Sequence, residues 1–126
     1  MALLQTFGNQ PEQYQDAHLL LDFQRKLASL DLERLRLTRK EYELLALLVQ
    51  NAGDIVGREE LLMRVWGYGS QIRTRTLDVH IRRLRKKLGP YAELYIETIF
   101  GIGYRFQPYR AHVTPRSVSA PLAVGA

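Results

Sequence analysis

The stretch that decides the fold is Arg73-Thr-Arg-Thr-Leu-Asp-Val-His-Ile-Arg-Arg-Leu-Arg-Lys-Lys-Leu88, RTRTLDVHIRRLRKKL, in which seven basic residues face one acid while apolar residues recur throughout. At about 100° per residue, Leu77, Ile81, Leu84 and Leu88 fall within one narrow sector of a helix, the side that docks on a core. Arg75, Val79 and Lys86 lie opposite, with Arg82 and Arg83 to either side of them. Asp78 stands four residues before Arg82 and seven before Arg85, a spacing that lets it hold one of those guanidiniums.

The net charge is +5, and the segment from Gln71 to Leu88 alone carries +6, so the rest of the chain is at −1. Charge runs in general are solvated faces, and this helix could be one. Here, however, the charge has a single sign, is confined to one helix and surrounds Val79, an apolar residue that a purely hydrated face does not need. A face laid on DNA does need it, because valine can touch a thymine methyl while arginines reach base edges and phosphates. A membrane surface would also attract the charge, but the apolar side holds the leucines of the core and no interfacial aromatic. RNA is disfavoured because no aromatic on the basic face can stack on bases. A protein-interaction module docking on an acidic partner is the main alternative, and competition with duplex DNA at physiological salt separates the two.

Working outward, the 126 residues suit one domain with a modest core, and 46% hydrophobic with 25% charged residues is ordinary globular composition. The absence of cysteine excludes disulfides and thiolate metal sites. No basic residue precedes Arg25 and no long apolar run is present, which argues against a secretory signal or membrane span and for a cytoplasmic protein. Residues 1–17 are Gln-rich and read as a linker or disordered arm, 18–107 as the folded domain, and 108–126 as a disordered tail. Alternation in Leu30-Asp31-Leu32 and Leu35-Arg36-Leu37 points to an antiparallel meander, while His18 to Phe23 could also form a helical turn. Thr38-Arg39-Lys40-Glu41 is a capping box opening a first helix that stops near Asn51-Ala52-Gly53. Ile55-Val56 is long enough only for an isolated pairing. A second helix spans roughly Arg58 to Trp66, and strands at Leu94–Ile99 and Gly103–Gln107 flank Gly101-Ile102-Gly103 as a hairpin.

The order of these elements carries a resemblance. LTRKEYELL (37–45), REELL (58–62) with VWG (65–67), RTLDVHIRRLRKKL (75–88) and IETIFGIGYRF (96–106) are together similar to the OmpR/PhoB-type winged-helix effector domain of bacterial response regulators, over roughly residues 18–107. The resemblance implies an α+β winged helix-turn-helix: a four-stranded antiparallel sheet, three helices and a C-terminal hairpin wing. It implies double-stranded DNA as partner, with the third helix in the major groove and the wing along the adjacent minor groove. By motif position, Thr76, Val79 and Arg83 are expected to face bases, and Arg75, His80, Arg82 and Arg85 to hold phosphates. Thr98 on the wing is expected to contact backbone, and Arg73 and Lys86 complete the DNA-binding set. The loop from Gly67 to Ile72, with Gly67, Tyr68 and Gly69, is similar to one that touches RNA polymerase or a neighbouring subunit. Monomers in solution pairing as a tandem dimer on direct repeats are implied, together with a receiver domain or sensor-kinase pathway in a longer chain. Phe100 departs from the family, which commonly has an arginine there for the minor groove, and is read as either a packing residue or a wedge.

Other chemistry finds little support. His18 and His112 lie far from His80, so no metal site is expected, and no cofactor. The carboxylates form no spaced pair with a nucleophile or base, and neither a phosphate loop nor a nucleophile elbow is present, so no enzyme is expected. Trp66 is expected to close the second helix against the meander, and Tyr104 and Phe106 to face the core.

Overall fold

The computed structural model describes residues 12–67 and 73–110. Four short strands form the first layer: β1 (Gln13–Gln15), β2 (Leu19–Asp22), β3 (Leu27–Leu30) and β4 (Glu33–Arg34), antiparallel in that order. Helices α1 (Arg39–Gln50), α2 (Arg58–Trp66) and α3 (Thr74–Leu88) follow, with β5 (Ile55–Gly57) between the first two. A short helix α4 (Ala92–Tyr95) leads into β6 (Ile96–Ile99), and β7 (Gly103–Phe106) closes the wing. The expected α+β winged helix-turn-helix is the fold observed.

Local physics accounts for the elements. Thr38 accepts from the Glu41 amide while the Glu41 carboxylate accepts from the Thr38 amide, so both halves of the capping box are made. The alternation at Leu30-Asp31-Leu32 marks a turn rather than a strand. Asp31 and Leu32 both have positive φ, as a two-residue type I′ hairpin demands, and Leu32 is fully exposed at its tip. The run at His18–Phe23 is strand, not helical turn. Ile55-Val56 also does more than form an isolated pair: β5 pairs with β7 along three residues and makes the wing sheet three-stranded, in the order β5-β7-β6. Gly103 permits this, since a Cβ there would lie 2.0 Å from the Val56 carbonyl oxygen. Leu94, expected in a strand, belongs to α4 and is exposed.

The boundary expected at residue 17 cuts through the fold. β1 lies within the segment read as an arm, and the next residue, Asp16, is a junction for distant parts of the chain. Its Oδ1 accepts from Tyr95 Oη at 2.7 Å and from the His18 and Leu19 amides at 2.9 Å. Its Oδ2 accepts from the Tyr14 hydroxyl and the Tyr109 amide. Burial pushes the Asp16 carboxyl up, but these donors outweigh burial and leave it below the usual carboxylate range. Above this junction Phe106 stacks on Tyr95 at 5.4 Å and meets Tyr14 edge-on at 5.6 Å. Tyr109, placed in the expected tail, packs edge-on against His18. The expectations for residues 1–11 and 111–126 lie outside the described residues.

Candidate nucleic-acid interface

Helix α3 is held on three sides. Leu77, Ile81, Leu84 and Leu88 are all at most 1% exposed, the docking face that the periodicity requires. Each contributes about 1.5–3 kcal/mol of burial, which fixes the rotation of the helix about its axis.

One flank locks onto the wing and α2. Asp78 accepts from Arg58 Nη2 at 2.6 Å and from Tyr104 Oη at 2.8 Å. The expected partners were Arg82 or Arg85. Arg58 takes that place because the first turn of α2 stands beside Asp78, and a residue 20 positions away cannot be found by counting along one helix. The Arg58 guanidinium holds the Asp78 carboxyl below the usual range. Arg85, expected to hold a phosphate, turns the same way. Its Nη2 donates to the Ile96 carbonyl at 2.8 Å and to Thr98 Oγ1 at 2.7 Å, and its guanidinium lies 5.7 Å from the centre of the Tyr104 ring. Its Nε is buried without a partner, and the residue as a whole is only partly exposed. Thr98, expected on the DNA backbone, receives this bond and stays half-buried.

The other flank is closed by α1 and α2. Lys87 donates to Glu41 Oε1 at 2.6 Å and to the Arg36 carbonyl at 2.8 Å, across a separation of 46 residues in the case of Glu41. Glu41 is 2% exposed; burial raises its pKa, and the Lys87 ammonium with the Thr38 amide more than reverses that. His80 donates from Nδ1 to the Thr76 carbonyl at 2.8 Å, and its ring meets Trp66 edge-on at 4.9 Å. Trp66 thus packs on α3, whereas the meander was expected. A phosphate contact by His80 has to run through Nε2 and needs a proton there.

Between the two flanks an arc of roughly 120° remains. It contains Arg82, Arg75, Lys86, Val79, Arg83 and Thr76, with Val79 at its centre. Arg75, Arg82, Arg83 and Lys86 are exposed, Val79 and Thr76 partly so, and Arg73 is exposed at the N-cap. Among the described residues none of these four arc cations takes part in an ion pair. Among the described residues no other element covers this side of the helix, and Arg82 lies near enough to Asp78 to help hold that carboxyl below its usual range. Of the loop Gly67 to Ile72, only Gly67 lies within the described residues, where it ends α2 at φ 107°; Tyr68 and Gly69 lie outside them. Phe100 is 89% exposed, which excludes the packing role.

The family model described as "Transcriptional regulatory protein, C terminal" matches residues 32–106, more than half of the chain. The chain belongs to this OmpR/PhoB-type family. The response regulator ArlR of Staphylococcus aureus is 48% identical over 71 residues, covering 56% of this chain and 32% of ArlR. The solved structure of DrrB, an OmpR/PhoB homologue from Thermotoga maritima, superposes with a TM-score of 0.72 at 34% identity, over 78% of this chain and 45% of DrrB. The Klebsiella pneumoniae RstA DNA-binding domain, solved in complex with the RstA box, gives 0.67 at 31% identity, over 78% of this chain and 99% of RstA's. The chain spans about a third of the length of the curated relatives it matches. Arg58 and Tyr104 are the residues positioning α3 that the sequence reading missed. The Arg58 guanidinium and the Tyr104 hydroxyl both meet Asp78, and no spacing along α3 points to them.

Proposed function

We propose that this family member is a sequence-specific double-stranded DNA-binding domain acting in transcriptional regulation as the effector part of a response regulator. Helix α3 lies in the major groove, with Val79, Thr76 and Arg83 against base edges and Arg75, Arg82 and Lys86 on flanking phosphates. The single observation that supports this reading is the uncovered arc of α3. It has one charge sign and an apolar centre, and its rotation is fixed by four buried residues and two locked flanks. Cations carried on an already ordered helix spare the backbone's ordering cost on binding and release counterions from the duplex. The RstA complex with its DNA box lends the same reading support from a relative of the same fold.

The remaining roles extend this proposal. Arg73, Thr98 and His80 border the phosphate contacts, and Arg85 orders the wing in place of holding a phosphate itself. Two copies bind direct repeats head to tail, and the Gly67–Ile72 loop meets RNA polymerase or the neighbouring copy. A receiver domain relays a sensor-kinase signal in the cytoplasm.

Selection from randomised duplexes, followed by anisotropy titration at several salt concentrations, tests the core of this. Enrichment of a defined half-site is expected, with a log–log salt slope of roughly −3 or steeper from three or more phosphate contacts. Absence of duplex association even at about 50 mM salt, or binding without any sequence enrichment, would overturn it. Preferential capture by an acidic protein in the presence of duplex would favour the interaction-module reading.

A further inference from the structure

The wing ends in a side chain that the interface above does not use. Phe100 is 89% exposed, and it is the only aromatic among the strongly exposed large apolar residues described. Its position is rigid. The Ile102 amide donates to the Ile99 carbonyl at 2.9 Å, closing a four-residue turn, and Gly101 takes the φ of 78° that a type II turn needs at its third position. The Arg58 amide donates to the Ile102 carbonyl at 3.0 Å, so the tip is also tied to the start of α2. Arg85 fastens β6 to α3 through Ile96 and Thr98. Phe100 therefore sits in the turn just past β6, on a hairpin tied to both α2 and α3.

The chemistry of the tip is equally restricted. Residues 98–102 (Thr-Ile-Phe-Gly-Ile) carry no charge, and the nearest acid, Glu97, is paired with Arg105 at 2.9 Å. The tip thus brings no charge to the phosphates, and the Phe100 side chain can neither donate nor accept a hydrogen bond. Together Phe100 and Ile102 fall far short of the roughly 1,000 Å² that a stable protein interface buries. The open arc begins at Arg82 and Arg75, immediately beside the flank that holds the wing. A duplex seated on that arc therefore passes beside the wing.

We propose that Phe100 is an apolar wedge. It inserts from the minor groove between two stacked base pairs beside the α3 contact, unstacks them and bends the duplex. This rests on the DNA-binding reading of α3. An uncharged exposed ring gains from a duplex only by leaving water for the base stack, which is how apolar side chains kink DNA from the minor groove. The step that opens most easily, pyrimidine–purine, is the one it selects.

The test uses the duplex recovered by selection, with 2-aminopurine placed singly at successive positions flanking the α3 site. Wild-type protein is expected to raise fluorescence at one step only. Phe100→Ala should abolish that rise and weaken binding about five- to 150-fold, the range for loss of one stacked base, with the salt slope unchanged. Phe100→Leu should retain most of the signal. Phe100→Arg should lose the signal and steepen the salt slope by about one unit. Because Phe100 is exposed, these variants keep the fold, and unchanged thermal melts verify it. No fluorescence rise at any position with bound wild type, or Phe100→Ala binding as wild type, would overturn the wedge while leaving the α3 reading intact. Failure of wild type to bind any duplex would instead remove the underlying reading.

Discussion

Two arginines two positions apart on α3 separate what a basic residue does for DNA from what it does for the fold. Arg83 is exposed within the open arc, whereas Arg85 spends its guanidinium on Ile96, Thr98 and the Tyr104 ring. Arg83→Ala is expected to cost about 1–3 kcal/mol in binding and to relax preference at one base position, with stability unchanged. Arg85→Ala is expected to lower stability by about 1–3 kcal/mol by leaving the Ile96 carbonyl and Thr98 hydroxyl short of a donor. It should then weaken DNA binding through a loosened wing. Binding selection and urea denaturation of both variants check this; an Arg85 variant as stable as wild type would contradict the assignment. Helical spacing sets Arg83 and Arg85 on different sides of α3, but that the Arg85 side meets β6 is decided only by the fold.

At the scale of the helix, Lys86 and Lys87 make the same point with adjacent residues. A step of 100° carries Lys86 into the open arc and Lys87 onto Glu41, which is buried by α1 and half occupied by its own capping box. Lys86→Ala should flatten the salt slope of DNA binding by about one unit and leave stability within about 0.5 kcal/mol. Lys87→Met should destabilise by about 2–4 kcal/mol, because a buried carboxylate loses its counter-charge, while the slope is retained. Salt titrations and urea melts on the two variants decide it. The capping box, the docking face and the extent of all three helices were legible in the sequence, because they depend on neighbours within a few residues. The strand at Ile55–Gly57 was not. Three residues carry almost no periodic signal, and their pairing depends on Gly103 allowing β7 to approach nearly 50 positions away.

For the molecule as a whole, three carboxylates tie separate regions together: Asp16 joins the first sheet to α4 and Tyr109, Glu41 joins α1 to α3, and Asp78 joins α2, α3 and the wing. All three are held below the usual carboxylate range. A depressed value in the folded state means stability is complete above the unfolded range of about 4 and is lost as pH falls through the folded values. Urea stability should therefore be flat from neutrality to about pH 5 and decline below it. Asp16→Asn should lower the plateau and make the acid decline shallower, since one of the three groups no longer takes up a proton. An acid limb as steep as that of wild type would contradict the role given to Asp16.

The sequence by itself determined the local and periodic features: a capped first helix, a two-sided third helix with Val79 at the centre of its charge, a glycine hairpin, and the order of elements that identifies the family. Those depend on propensity and on spacings of three or four residues, which survive in any sequence that forms the element. Only the tertiary structure decided which cations remain free. It assigned Arg58 to Asp78, Arg85 to the wing and Lys87 to Glu41, brought residues 13–16 into the fold, and left Phe100 bare at the tip of a fixed hairpin. Each of these outcomes pairs groups far apart along the chain, or leaves one uncovered. A charged or aromatic side chain reaches several ångströms in any direction, and its partner is chosen by packing of the backbone, not by distance along it.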